Sequence, residues 1–192
     1  MSDYNVLCRY FSKPGSENTD ALLDTVVKRA RELSIGKIII ATCSGRTAFK
    51  AAEKFGKDFK LIAVTHVTGF ANPNEQELNE ENRKKLESLN VSVFTGQHAF
   101  GGVGRAVRNK LSTYQIDEIM AYTLRLFGQG TKVAVEIALM ATDAGLVRTD
   151  ENVIAIGGSG SGADTALVLE PANSSRLFDL KIREVLCKPF DF

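Results

Sequence analysis

Residues 37–42 (Lys-Ile-Ile-Ile-Ala-Thr), 60–65 (Lys-Leu-Ile-Ala-Val-Thr) and 153–156 are apolar runs in which hydrophobic and polar residues do not alternate. A strand of this kind has no face to offer water, so it must be covered on both sides, as in a parallel sheet flanked by helices. The segments between these runs have helical periodicity. In residues 18–33, Leu22, Leu23, Val26, Val27, Ala30 and Leu33 fall on one stripe; Asn18 or Thr19 can cap the start and Gly36 can stop it. Residues 46–55 form a second helix, with Ala48, Phe49, Ala52 and Phe55 inward and Gly56 at its end. A third helix is expected over 74–89, because Glu77 follows Asn74 at capping-box spacing. Residues 91–95 read as a short strand. Gly101, Gly102 and Gly104 read as a loop before a basic helix carrying Arg105, Arg108 and Lys110. Residues 116–127 read as a helix, and 131–144 as one apolar almost all round and therefore central. Residues 165–169 and 180–186 read as an antiparallel closing section. The expected fold is a single α/β domain over residues 1–192, an open and mostly parallel sheet with helices on both faces.

In such sheets ligands bind outside the carboxyl ends of the strands. Two segments there are rich in glycine and hydroxyl groups, 41–48 (Ala-Thr-Cys-Ser-Gly-Arg-Thr-Ala) and 156–165 (Ile-Gly-Gly-Ser-Gly-Ser-Gly-Ala-Asp-Thr). The first runs into a helix. Free backbone N–H groups and the positive end of a helix dipole then point at one spot, which suits a phosphate. The candidate binding residues are Thr42, Ser44, Gly45, Arg46 and Thr47 on one side. Gly157, Gly158, Ser159, Gly160 and Thr165 stand on the other, and Thr65, Thr68, Gly69, Thr95, Gly96 and His98 form a floor. The glycine density of 157–162 suits close approach to a ligand. Asp164 either meets a ligand or caps a turn, with the turn favoured.

The composition is that of a globular chain, 44% hydrophobic and 24% charged, with a formal net charge of +1. No overall field draws it to nucleic acid or to a membrane surface. The basic helix lacks interleaved aromatics and reads as a solvated face. Three cysteines without CxxC spacing fit a reduced, cytoplasmic setting. The first five residues carry no leader signature, and no run reaches membrane-spanning length. No metal site is expected from two histidines without clustered ligands. His66 and His98 read as hydrogen-bonding residues at the ligand edge. Cys43 reads as a small buried residue or a reactive thiol. Glu136 must be paired, with Arg105, Arg108, Arg125 or backbone N–H groups as candidates. No catalytic residue is assigned.

The strand, the Thr-Cys-Ser-Gly-Arg-Thr loop and the helix at residues 38–48 resemble the matching segment of the pyruvate kinase C-terminal domain. There such a loop holds a phosphate of the allosteric sugar bisphosphate. Residues 61–65 resemble that family's next strand, and Gly158-Ser159-Gly160 followed by Thr165 resembles its effector-closing loop. The whole chain resembles stand-alone archaeal and bacterial proteins of this fold. The shared pattern includes Tyr10-Phe11, Lys13-Pro14-Gly15, Thr68-Gly69-Phe70, Leu126-Phe127-Gly128, Lys132 to Ile137, and Gly162 to Thr165.

The resemblance implies a three-layer α/β/α sandwich and flavin mononucleotide (FMN) as ligand, with a phosphorylated sugar or another nucleotide as alternatives. It also implies self-association into a homo-oligomer. The kinase family's catalytic barrel takes roughly 250 residues, more than these 192, so pyruvate kinase activity is not expected. With no Trp in the chain, the loop that grips a second sugar phosphate has no counterpart, which favours a ligand with one phosphate. The expected function is a non-catalytic ligand-binding or regulatory module; the alternative is a small FMN-dependent oxidoreductase.

Overall fold

A computed structural model describes residues 3–192; Met1 and Ser2, where the reading for a leader begins, lie outside them. The elements in chain order are β1 (Arg9–Phe11), α1 (Thr19–Glu32), β2 (Lys37–Ala41), α2 (Arg46–Phe55) and β3 (Lys60–Thr65). They continue with α3 (Glu80–Ser88), β4 (Ser92–Thr95), α4 (Val103–Leu111), α5 (Ile116–Arg125) and α6 (Gln129–Asp143). Strands β5 (Val153–Gly157), β6 (Thr165–Glu170) and β7 (Lys181–Pro189) complete the chain. The described residues form a seven-stranded sheet of order β1-β7-β6-β5-β2-β3-β4. Strands β5, β2, β3 and β4 pair in parallel, while β6 is antiparallel to both of its neighbours.

The unalternating strand runs are explained by covering on both faces. In β2, Ile38 and Ile40 pack on the layer of α1, α2 and α3, with Leu22, Val26 and Ala48. Ile39, between them, packs on the opposite layer against Ala134 and Ala138 of α6. Strands β3 and β5 divide in the same way, Leu61 and Ile154 to one face, Ile62 and Ala155 to the other. Each leucine or isoleucine side chain so removed from water contributes about 1.5–3 kcal/mol. The result is a three-layer α/β/α sandwich.

Helix α6 is buried nearly all round, as its sequence predicts. It lies directly on β5. A Cβ at Gly157 would stand 2.2 Å from the Gly130 carbonyl oxygen, and one at Gly130 would stand 2.2 Å from Thr165 Oγ1. Glycine at 157 is therefore required by the protein's own packing.

Two readings are corrected and one strand is added. The helix expected over 74–89 begins only at Glu80, where the Asn79 side chain accepts from the Asn82 N–H at 2.7 Å. Asn74 is left-handed instead (φ 64°), and residues 74–79 form a turn pinned by the Gln76 side chain and by buried Leu78. Gly104 lies inside α4. The edge strand β1, parallel to β7, was not read; three residues carry no periodicity.

Candidate functional site

The chain runs β2, β3, β4 outward in one direction and then returns to place β5 on the other side of β2. A crevice opens beyond the carboxyl ends of two strands that diverge in this way. Here it is a cleft of about 360 Å³. The loops after β2 and β5 form its facing walls, so the two glycine- and hydroxyl-rich segments do converge.

The first wall is built by a tight strand-to-helix turn. The Thr42 N–H donates to the Val64 carbonyl at 3.0 Å, and Thr42 Oγ1 accepts from the Gly45 N–H at 3.1 Å. Gly45 adopts φ +95°, and a Cβ there would press on Leu78 Cδ1 at 3.0 Å, so only glycine turns the chain here. The Ser44 carbonyl is held by the Asn82 amide at 2.9 Å. Among the described residues no side chain caps α2. Its first-turn N–H groups therefore stay available, with the positive end of the helix dipole behind them. Ser44, Arg46 and Thr47 line the cleft beside them.

On the facing wall Gly158, Gly160, Ser161 and Gly162 line the cleft. Asp164 is fully buried behind them. Its carboxylate accepts from the Ser159 N–H at 3.0 Å and from the Thr165 hydroxyl at 2.8 Å, which is the turn-capping role. Thr19, at the start of α1, accepts from the Ala163 N–H at 3.0 Å and donates to its carbonyl at 3.3 Å. The loop is thus fastened at its C-terminal end.

The floor hydroxyls are largely spent internally. Arg83 donates to Thr95 Oγ1 at 2.6 Å, Thr95 and Thr65 bond at 2.6 Å, and Thr65 donates to the His66 carbonyl at 2.9 Å. Thr65 and His98 line the cleft; Thr95, Gly96, Thr68 and Gly69 do not. Gly45, Gly157, Ser159 and Thr165 likewise shape the walls from behind. The loop after β3 contributes Phe70 instead, stacked on His66 with ring centroids 4.0 Å apart and on His98 at 5.1 Å.

Helix α6 supplies the side that the sequence reading missed. Lys132 and Glu136, both buried, pair one turn apart, and Glu136 Oε1 also accepts from the Phe100 N–H at 3.0 Å. Glu136 is therefore paired with Lys132 and not with an arginine; Arg108 goes to Glu118 at 2.7 Å. Burial pushes the Lys132 ammonium down from its ordinary range, and Glu136 opposes that. Arg105 and Arg125 complete the lining. Four cationic side chains, Arg46, Arg105, Arg125 and Lys132, face this space with one carboxylate, Glu136. The signal was present: a lysine and a glutamate four residues apart in an otherwise apolar helix.

His98 is held neutral. The Val67 N–H donates to its Nε2 at 3.3 Å, which places the ring proton on Nδ1, 4.0 Å from Glu136. Burial, with Glu136 opposing, takes it from the ordinary 6.5 to about 4. Cys43 and His66 also line the cleft, and Glu77 stands behind His66.

Among the described residues no helix is long and apolar enough to cross a membrane. The family model of the pyruvate kinase alpha/beta domain matches residues 20–169, which run from the first turn of α1 through both cleft walls to the penultimate residue of β6. With that match and this α/β sandwich, the chain belongs to the pyruvate kinase alpha/beta domain family.

Proposed function

We propose that the cleft binds a phosphorylated small molecule, with flavin mononucleotide as the first candidate, and that the protein acts as a ligand-binding or regulatory module. The observation that carries this reading is the convergence of residues 44–47 and 158–162 on one cleft at the uncapped start of α2. Unpaired N–H groups there suit phosphate oxygens, and Arg46 adds a charge-assisted donor. The surplus of cationic side chains favours an anion. The cleft volume is in the range of small-ligand sites. A phosphorylated sugar or another nucleotide would use the same cradle. A flavin-dependent oxidoreductase is the second reading, favoured by the titratable side chains Cys43, His66 and His98 on the same cleft. Self-association belongs to the proposal, because Ile116, Ile119, Leu126 and Phe127 are exposed together at α5 and its C-terminal end.

The test is titration of the purified protein with FMN, followed by flavin fluorescence, and with inorganic phosphate as competitor. The double variant Arg46→Ala, Thr47→Ala is expected to weaken binding about 10–100-fold, the value of a lost charge-assisted hydrogen bond. Unchanged affinity would refute the site. A protein that ignores FMN but binds a sugar phosphate would refute the flavin choice. Bleaching of bound flavin by reduced nicotinamide would select the oxidoreductase.

A further inference from the structure

The parallel register of β2 and β3 sets Ala41 opposite Val64. Continued two residues past the sheet edge, the same offset sets Cys43 beside His66. Cys43 Sγ lies 3.6 Å from His66 Nε2, and His66 Nδ1 lies 2.5 Å from Glu77 Oε2. Glu77 is placed firmly. Its neighbour Gln76 donates to the His66 carbonyl at 3.0 Å, its other neighbour Leu78 is buried, and the Gly69 N–H closes the loop on the Glu75 carbonyl at 2.9 Å. Phe70 stacks on the imidazole and fixes its plane. A carboxylate can only accept, so the ring proton sits on Nδ1 and Nε2 is left as a bare base facing the thiol.

We propose that Cys43 is a nucleophile for small anionic carbon electrophiles, with His66 as its general base and Glu77 as the positioning residue. This goes beyond the binding reading and does not require that the ligand be a phosphate. The three groups stand in the order that activates a thiol: nucleophile, base, and a third group orienting the base. Burial and the charge of Glu77 both hold the thiol above its ordinary range, so at rest it keeps its proton and the base is needed at the moment of attack. In the step, the Cys43 S–H proton passes to His66 Nε2 and a sulfur–carbon bond forms. With an alkyl substrate the bond to the leaving group breaks and its electron pair departs with that group. With an aldehyde the carbonyl π pair moves to oxygen, which takes the proton back from His66. The preference for an anion comes from Arg46, Arg105, Arg125 and Lys132 on the same cleft.

The experiment is alkylation of the intact protein with iodoacetate and with iodoacetamide, read at each cysteine by peptide mass spectrometry. Cys8 is half-buried, as Cys43 is, and serves as the internal control; Cys187 is buried. Cys43 should react faster than Cys8, and the iodoacetate-to-iodoacetamide rate ratio should be higher at Cys43. His66→Gln should slow Cys43 about 100-fold, the usual worth of a general base, and Glu77→Gln should slow it by less. The pH profile of Cys43 alkylation should differ between the wild type and His66→Gln, because only the wild type carries a base beside the thiol, and superimposable profiles would overturn that role. Around His66 stand Glu77 in direct contact and His98 with ring centroids 5.3 Å apart, and Arg46, Arg105, Arg125, Lys132 and Glu136 line the same cleft.

Equal rates at Cys43 and Cys8 in the wild type would overturn the proposal, and that comparison needs no variant. Unchanged rates in both variants would overturn the assignment of base and positioning residue. Cys43, His66 and Glu77 also offer ligand atoms within 4.8 Å of one another. Protection of Cys43 by stoichiometric zinc, with zinc present in the isolated protein, would make this a metal centre and sink the nucleophile.

Discussion

His98 couples the cleft to pH. Its folded-state value of about 4 lies below the ordinary 6.5 expected in the unfolded chain. Between those limits the unfolded chain binds more protons, so stability rises with pH across the window. The contribution is complete above about pH 6.5 and is lost on acidification to about pH 4, a difference of about 3 kcal/mol. Glu136, His66, Lys132 and Arg105 are the charged or titratable groups that act on this ring. The substitution His98→Gln should flatten the fall in stability over that range by about one proton, as read from urea unfolding at a series of pH values. An unchanged slope would show that other groups carry the acid sensitivity. At this scale the sequence marked the ligand edge better than the partners. Cys43 and His66 each follow a strand, and that much is legible. Their meeting depends on which strands are neighbours, and parallel pairing leaves no local signal. The Glu136 partner was legible in part: Lys132 lies four residues away on the same helix face, but only the fold showed that it takes the carboxylate in place of an arginine from another element.

The elements themselves were easier to read, because strands buried on both faces and an all-apolar helix are strong patterns. The misreading at Asn74 has a physical cause. Its spacing to Glu77 imitates a capping box, yet Leu78 is drawn into the core and the Gln76 side chain is taken by the His66 carbonyl, so no helix can start until Asn79. The glycines of the second cleft wall also serve the protein's own packing. Of the run from 157 to 162, Gly157 is spent on α6, a Cβ at Gly158 would meet the Gly162 carbonyl oxygen at 2.3 Å, and Gly160 alone of the glycines there has open space around it. Gly157→Ala should therefore push α6 off β5 and destabilise the protein by about 1–3 kcal/mol, the cost of overpacking. Gly160→Ala meets no such neighbour, and its effect should be confined to the strain of a left-handed residue, φ +93°. Urea denaturation of the two variants separates these costs, and equal values would count against the packing account.

For the whole molecule, the exposed apolar residues at α5 are a feature that a single copy of the chain leaves uncovered. Ile116 is 71% exposed and Leu126 is 75% exposed. Apolar surface grouped in this way marks an interaction site, and the proposal of self-association assigns it to a second copy of the chain. Light scattering on the eluting protein at micromolar concentration should then give a multiple of the 20.9 kDa chain mass, and Ile119→Glu with Leu126→Glu should return it to one. A wild-type mass of a single chain would remove this part of the reading.

The clasp between Thr19 and Ala163 joins positions 144 apart in sequence. The wall of the cleft that follows β5 is therefore moored to the first turn of α1. An occupant that tightens one end should calm the other, and a disturbance at the outset of α1 should loosen the far wall's grip on a guest.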